Sequence, residues 1–249
     1  MRIATSCVTC DLERDSLERG EVVYAELEDD KILIATCSKG HEIRYVLQQA
    51  QFELLMEMGG MALLDGYYRE AVSSFAAALE RFFEFYILVV GEGRQVSGTE
   101  VGKAWKLMAN QSERQIGAFV ILHLLEMGTP PLLDEKMAKF RNDVIHKGVF
   151  PSKSSAYSYG KWAFEFIVST GFQLRAKHEE AAFEVLKRKM GPSWAKAREK
   201  GGSVGLQYTP MFLSWTDSSW ASATFDRSMK NLEERRHHTW APPATPFDK

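Results

Sequence analysis

Apolar and polar positions alternate in "EVVYAELE" (21–28) and again in "KILIATC" (31–37), with Asp29 and Asp30 between them. Successive side chains of an extended chain point to opposite faces, so this pattern predicts a short β-hairpin. Beyond it the period lengthens, and apolar residues recur every three or four positions. That spacing predicts helices over roughly 43–65, 67–90, 100–109, 112–127, 134–147 and 154–190. The stretch "MGTPPLLD" breaks the series and leaves Asp134 to cap the helix that follows, which Gly148 and Pro151 then end. After "KMGPS" (189–193) the regularity fades, and Trp194, Trp215, Trp220 and Trp240 stand among Ser, Gly, Thr and Pro. Such a tail is either an irregular extension packed by its aromatics or a segment that orders on a partner. The predicted fold class is mainly α, a helical bundle preceded by a small β-hairpin module, with divisions at 1–42, 43–190 and 191–249.

Composition changes this picture little. With 249 residues, 45% of them hydrophobic, the chain has ample material for a core. A net charge of −2 and a pI near 6.3 provide no global basic field, so any nucleic-acid binding must come from a local patch. The longest apolar runs, "FYILVV" (85–90) and "FVILHLL" (119–125), are too short to span a bilayer. The opening "MRIATSCVTC" lacks the apolar run of a signal peptide, so a cytoplasmic protein without a membrane partner is expected.

All three cysteines fall around the hairpin: Cys7-x2-Cys10 before it, and Cys37 followed by His41 after it. Two short-spaced ligand pairs brought in from two turns are what a closed tetrahedral zinc site needs, and Gly40 lets the second turn bend tightly. The expected cofactor is one structural zinc held by Cys7, Cys10, Cys37 and His41, with none for catalysis. The competing reading makes Cys37 a buried strand thiol and His41 the start of a helix. The module resembles a zinc ribbon in which histidine replaces the fourth cysteine.

The second cluster is "KFRNDVIHKG" (139–148). Met137, Phe140 and Val144 are spaced to form a buried stripe, and Asn142 and His146, four apart, share a side of it. Arg141 lies about 140° around the helix from His146, within reach of its long side chain. An imidazole titrates near neutrality, the range that suits a proton-transfer group. Alternatively, the polar residues simply cap and solubilise a helix end.

Here the sequence resembles the HEPN family, named for higher eukaryotes and prokaryotes nucleotide-binding, whose ribonuclease members carry arginine, a polar residue and then histidine after a short gap. The match is "RNDVIH", with Arg141, Asn142 and His146; support comes from the aromatic-rich "EAVSSFAAALERFFEFYI" (70–87) and from the long helix after the motif. It covers roughly residues 43–190. The resemblance implies a dimerising HEPN-like helical bundle, catalytic roles for Arg141, Asn142 and His146, and metal-independent cleavage of an RNA substrate through 2′-hydroxyl attack. It also implies a growth-arresting toxin in an antiviral or toxin–antitoxin system, with an antitoxin or regulatory protein as a further partner. The alternative is a non-catalytic module of the same kind that binds nucleotide or RNA, or serves as a dimeric scaffold.

Other features enter as smaller expectations. The acids on "LERFFEFY", Glu80 and Glu84, read as the polar face of an amphipathic helix or, turned inward, as a partner for Arg141, and Lys147 as a complement to the helix dipole or a phosphate contact. His123 reads as a hydrogen-bonded core histidine. "RRHHTW" (235–240) joins cations to an aromatic in the manner of a soluble tail or an RNA contact. "GEGRQVSG" (91–98) lacks the Gly-Lys-Ser/Thr of a phosphate loop and is set aside.

Overall fold

Strand-forming β-branched and aromatic residues cluster in the first 48 positions, and the helix-period pattern takes over after them. The computed structural model describes residues 2–13, 22–27, 31–199, 204–207, 212–217 and 222–239. Trp220, Trp240 and the side chains of "RRHHTW" beyond Arg235 lie outside the described residues. The chain forms two compact units, one of Met1–Gln48, Lys187–Thr209 and Asn231–Lys249, the other of Gln49–Leu186 and Pro210–Lys230. This division differs from the one read in the sequence, because residues from both ends of the chain complete the first unit.

The first unit is built on a five-stranded sheet. Strands β1 (Arg2–Ser6), β2 (Val22–Leu27), β3 (Ile32–Thr36) and β4 (Glu42–Leu47) run antiparallel in sequence order, and β5 (Val204–Gln207) adds parallel to β4. The short helix α1 (Val8–Leu12) follows β1. The expected hairpin is present as β2 and β3, but residues 43–47, expected to begin a helix, are strand. In "EIRYVL" every residue of β4 but the last pairs in register with β3 at positions such as Ile43↔Ala35 and Tyr45↔Leu33, and cross-strand pairing outweighs a weak helical period. One face of the sheet is sealed where Ile32 and Val46 pack against Ala197, flanked by Ile34, Met190, Trp194 and Val204.

The second unit is helical: α2 (Gln51–Leu64), α3 (Tyr68–Gly93), α4 (Gly98–Lys106), α5 (Ser112–Met127), α6 (Glu135–His146) and most of α7 (Lys153–Glu199). Helix α3 is its centre, with Phe75, Phe82, Tyr86 and Val89 fully buried. Phe75 fits because its neighbours have no side chain: a Cβ at Gly59 of α2 or Gly160 of α7 would lie 2.4 or 2.5 Å from its ring carbons. On α5, Phe119 stacks on Phe83 with ring centroids 4.5 Å apart. His123 is the expected core histidine, its ring Nδ1 3.0 Å from the Thr129 carbonyl oxygen.

Two further differences from the sequence expectation concern the C-terminal third. Helix α7 reaches Glu199 but is interrupted at His178, whose φ and ψ of −137° and 37° are not helical. At the break His178 Nε2 lies 3.0 Å from Glu126 Oε2, Arg94 Nε donates to Glu126 Oε1 at 2.6 Å, and the Lys177 ammonium donates to the Glu126 carbonyl. The tail is also more ordered than its composition implied, containing β5 and α8 (Phe225–Thr239). Its return segment is held by two buried carboxylates of α2. Glu53 Oε1 accepts the Trp215 N–H at 2.6 Å and Glu57 Oε2 accepts the Phe212 N–H at 2.5 Å, while the Trp215 ring packs 5.2 Å from that of Phe85.

Phe75→Ala is expected to lower unfolding free energy by about 3–5 kcal/mol and Gly160→Ala, which overpacks the same ring, by about 1–3 kcal/mol, both read by denaturant melts. Burial raises the Glu126 carboxyl, but hydrogen bonds from His178 and Arg94 outweigh it and hold the group below the ordinary carboxylate range. Its contribution to stability is therefore present above the unfolded-state value near pH ~4.3 and is lost as pH falls through the lower folded value. Glu126→Gln should flatten that part of the acid-melting curve.

A candidate metal centre and a candidate active site

The topology of the sheet assembles the cysteine cluster. Strands β1 and β3 both run antiparallel to β2 between them, so their C-terminal ends meet at one end of the sheet. There Cys7 caps α1, accepting the Cys10 N–H on its sulfur at 3.5 Å, and the turn of α1 folds Cys10 back over it. Cys37 and His41 flank the β3–β4 turn, closed by backbone bonds from Cys37 N to His41 O and from Gly40 N to Cys37 O. Gly40 takes a φ of +83°, a conformation L side chains rarely adopt. The Tyr45 hydroxyl ties the two halves together by donating to the Ser6 carbonyl at 2.8 Å.

The four candidate donor atoms lie within 4.8 Å of one another, with all three cysteines buried. Cys10 Sγ is 3.8 Å from Cys37 Sγ, and His41 Nδ1 is 3.3 Å from Cys10 Sγ and 3.7 Å from Cys7 Sγ. A tetrahedral ion with M–S of about 2.3 Å and M–N of about 2.05 Å has S···S edges of about 3.8 Å and S···N edges of about 3.5 Å. The donor set therefore fits one tetrahedral metal ion, and the ligating nitrogen is Nδ1. Nε2 of the same ring faces outward, 3.8 Å from Glu13 Oε1. Burial, with hydrogen bonds from the neighbouring thiols, pushes the Cys10 thiol up to about 12. Burial also raises Cys37, but the backbone N–H groups of His41 and Lys39 aimed at its sulfur hold it below its ordinary value. Such N–H···S contacts are the outer support a thiolate ligand needs, and a bound cation would supply the remaining stabilisation.

The second cluster forms at the end of α6. Asp134 caps the helix through the Lys136 N–H at 2.8 Å, as expected. Of the expected apolar stripe, Val144 is fully buried, while Met137 and Phe140 are half-buried, with Phe140 lying 5.8 Å from the Tyr159 ring. The stripe is shallow because one side of α6 is open, which leaves Asn142 and His146 exposed.

Arg141 reaches across the helix and joins the group. Its Nη1 lies 2.9 Å from Asn142 Oδ1 and 3.3 Å from His146 Nε2, and its Nη2 donates to Glu80 Oε1 at 2.6 Å. A guanidinium only donates, so in this contact His146 Nε2 presents its lone pair. Glu80 is the acid on α3 that the sequence offered as a partner; Glu84 instead accepts from Arg81 at 2.7 Å. Tyr159 lies buried close to the pair. Burial pushes its hydroxyl up, the Arg141 charge opposes this and the Glu80 charge adds to it. Lys147 binds Asp143 at 2.7 Å and Lys139 binds the same carboxylate at 2.9 Å, which together hold Asp143 below its usual range. Lys147 is thus engaged within its own helix.

A separate cavity of about 770 Å³ lies at the α7 break, lined by residues including Gln95, Phe172, Arg175 and His178. It contains none of the α6 cluster.

Among the described residues, no helix is long and apolar enough to cross a membrane. Comparison with protein-family models, curated proteins and solved structures finds no match to this chain.

The donor geometry predicts one metal ion per chain by elemental analysis. Stripping it with a strong chelator should lower the melting temperature and expose three thiols to a colorimetric thiol reagent; Cys37→Ser and His41→Ala should each reduce occupancy.

Proposed function

We propose that the protein is a metal-independent endoribonuclease in which Arg141, Asn142 and His146 act on a scissile phosphodiester. The observation that carries this reading is the single guanidinium that touches Asn142, His146 and Glu80 at once. RNA holds its own nucleophile in the 2′-hydroxyl, so cleavage needs proton transfer and charge stabilisation, with no metal. His146 Nε2 takes the 2′-hydroxyl proton as the oxygen attacks phosphorus. The bond to the 5′-oxygen then breaks, leaving a 2′,3′-cyclic phosphate, and that oxygen takes a proton from the imidazolium or from water to become a 5′-hydroxyl. Arg141 stabilises the extra charge on the phosphorane, since its planar fork matches paired oxygens. Asn142 orients the phosphate, and Glu80 fixes the guanidinium from behind.

The active form is a homodimer in this reading, with two copies of the motif facing one cleft. Apolar residues left in solvent beside α6 support it: Leu132, three residues before the helix, and Phe150, four residues after it, are 91% and 88% exposed. Exposed apolar side chains next to a polar site are what a partner surface covers. The metal is a structural zinc, the ion that a closed Cys3His tetrahedron favours, and it takes no part in the reaction. Three free thiols around such a site suit a reducing, cytoplasmic compartment. The biological role that goes with this activity is a toxin of an antiviral or toxin–antitoxin system, held in check by an antitoxin or regulatory protein.

Purified protein should cut unstructured RNA in excess EDTA and leave 2′,3′-cyclic phosphate ends. His146→Ala and Arg141→Ala should each slow cleavage by about 10²- to 10⁴-fold. Cleavage that requires magnesium, or that survives both substitutions, removes the assignment, and tight RNA binding without turnover returns the protein to a binding module.

A further inference from the structure

The last stretch of α7, residues 187–199 in the first unit, carries Lys187, Arg188, Lys189, Lys196 and Arg198 against the single acid Glu199, in a chain of net charge −2. All six are exposed, whereas Ser193 and Ala197 are buried and Met190 and Trp194 pack onto the sheet with Ile32 and Val46. At about 100° per residue, the inward residues 190, 193, 194 and 197 occupy one sector of the helix. Lys187 and Arg198 then fall along one border of the outward surface and Lys189 and Lys196 along the other, with Arg188 between. The other exposed residues in the middle are Gly191, Pro192 and Ala195, none long enough to hold a bound chain away from the flanking cations, and the acid Glu199, which sits at the last position of the helix, one turn beyond Ala195.

We propose that this outward surface of α7 binds the RNA backbone, a phosphate-gripping site distinct from the residues around Arg141. Thirteen helical residues span roughly 18 Å, enough for about three nucleotides of extended single strand. The inference rests on the RNA-directed reading above for its choice of polyanion. An anionic membrane fits the surface less well, because an interfacial helix must insert an apolar face, and the apolar face here is spent on the sheet.

The test uses the full chain and a labelled single-stranded RNA carrying 2′-O-methyl groups throughout, which removes the nucleophile and separates binding from cleavage. Binding by wild type should weaken linearly on a log–log plot against salt. In the variant Lys187→Gln/Arg188→Gln/Lys196→Gln/Arg198→Gln the slope should fall by about 2–3, at about 0.7 per lost phosphate contact, and Kd at low salt should rise at least tenfold. An unchanged Kd and slope, or binding to phosphatidylglycerol vesicles in place of RNA, overturns the proposal. If the quadruple variant melts early, the doubles Lys187→Gln/Arg198→Gln and Arg188→Gln/Lys196→Gln decide. Half the slope change in each supports the site, and none overturns it. Cleavage of unmodified RNA is followed in parallel. Salt-dependent binding that drops in the variant, without any wild-type cleavage, removes the nuclease reading alone. Cleavage by wild type with an unaltered slope in the variant removes this site alone.

Discussion

The aromatic burden of α3 is the constraint that organises the helical unit. From Phe75 to Val90 the helix buries residues on almost every side, and a helix apolar all round must be surrounded. Helices α2, α5 and α7 supply the walls, approaching closely where Gly59 and Gly160 leave room for Phe75. Glu80 sits on the part of α3 that packing leaves partly open, with 26% of its side chain exposed, and α6 lies against that opening. The candidate site is therefore a by-product of how one apolar helix is enclosed.

That enclosure also explains why a charge pair persists there. Arg141 and Glu80 have 18% and 26% of their side chains exposed, and Tyr159 lies buried close to them. A partly desolvated guanidinium needs a fixed acceptor, and Glu80 supplies one while Nη1 stays turned toward Asn142 and His146. The carboxylates elsewhere in this unit serve a different end. Glu53 and Glu57 satisfy backbone N–H groups of the return segment, and Glu126 holds the Arg94 and His178 side chains where α7 breaks. Acids thus anchor backbone at one place and hold side chains at two others.

The cysteine unit follows another logic. Its sheet contributes one well-packed cluster around Ile32 and Val46, and the end of the sheet is closed by four ligand atoms rather than by apolar side chains. In a sheet of short strands, a metal at the strand ends would add to the small core that cluster provides. Local geometry prepares for the ion, because the turn at Gly40 aims backbone N–H groups at Cys37.

Local rules made much of this legible. The period-two runs marked β2 and β3, the period near 3.6 marked α3, α5 and α6, and the ligand spacing marked Cys7, Cys10, Cys37 and His41, since all of these depend on neighbours in sequence. Residues 43–47 were misread because a run as short as "IRYVL" suits strand or helix equally until β3 stands beside it to pair. Nothing local announced β5, whose four residues are a strand only because β4 offers an edge. Trp215 looked like part of an irregular tail until the buried carboxylate of Glu53 captured its backbone. Within the candidate site, Arg141, Asn142 and His146 were readable from helical spacing. The sequence offered Glu80 or Glu84 as the partner of Arg141, and only tertiary structure decided for Glu80, 61 positions away, because long-range side-chain pairing is set by the packing of α3 against α6 and leaves no periodic trace in the chain.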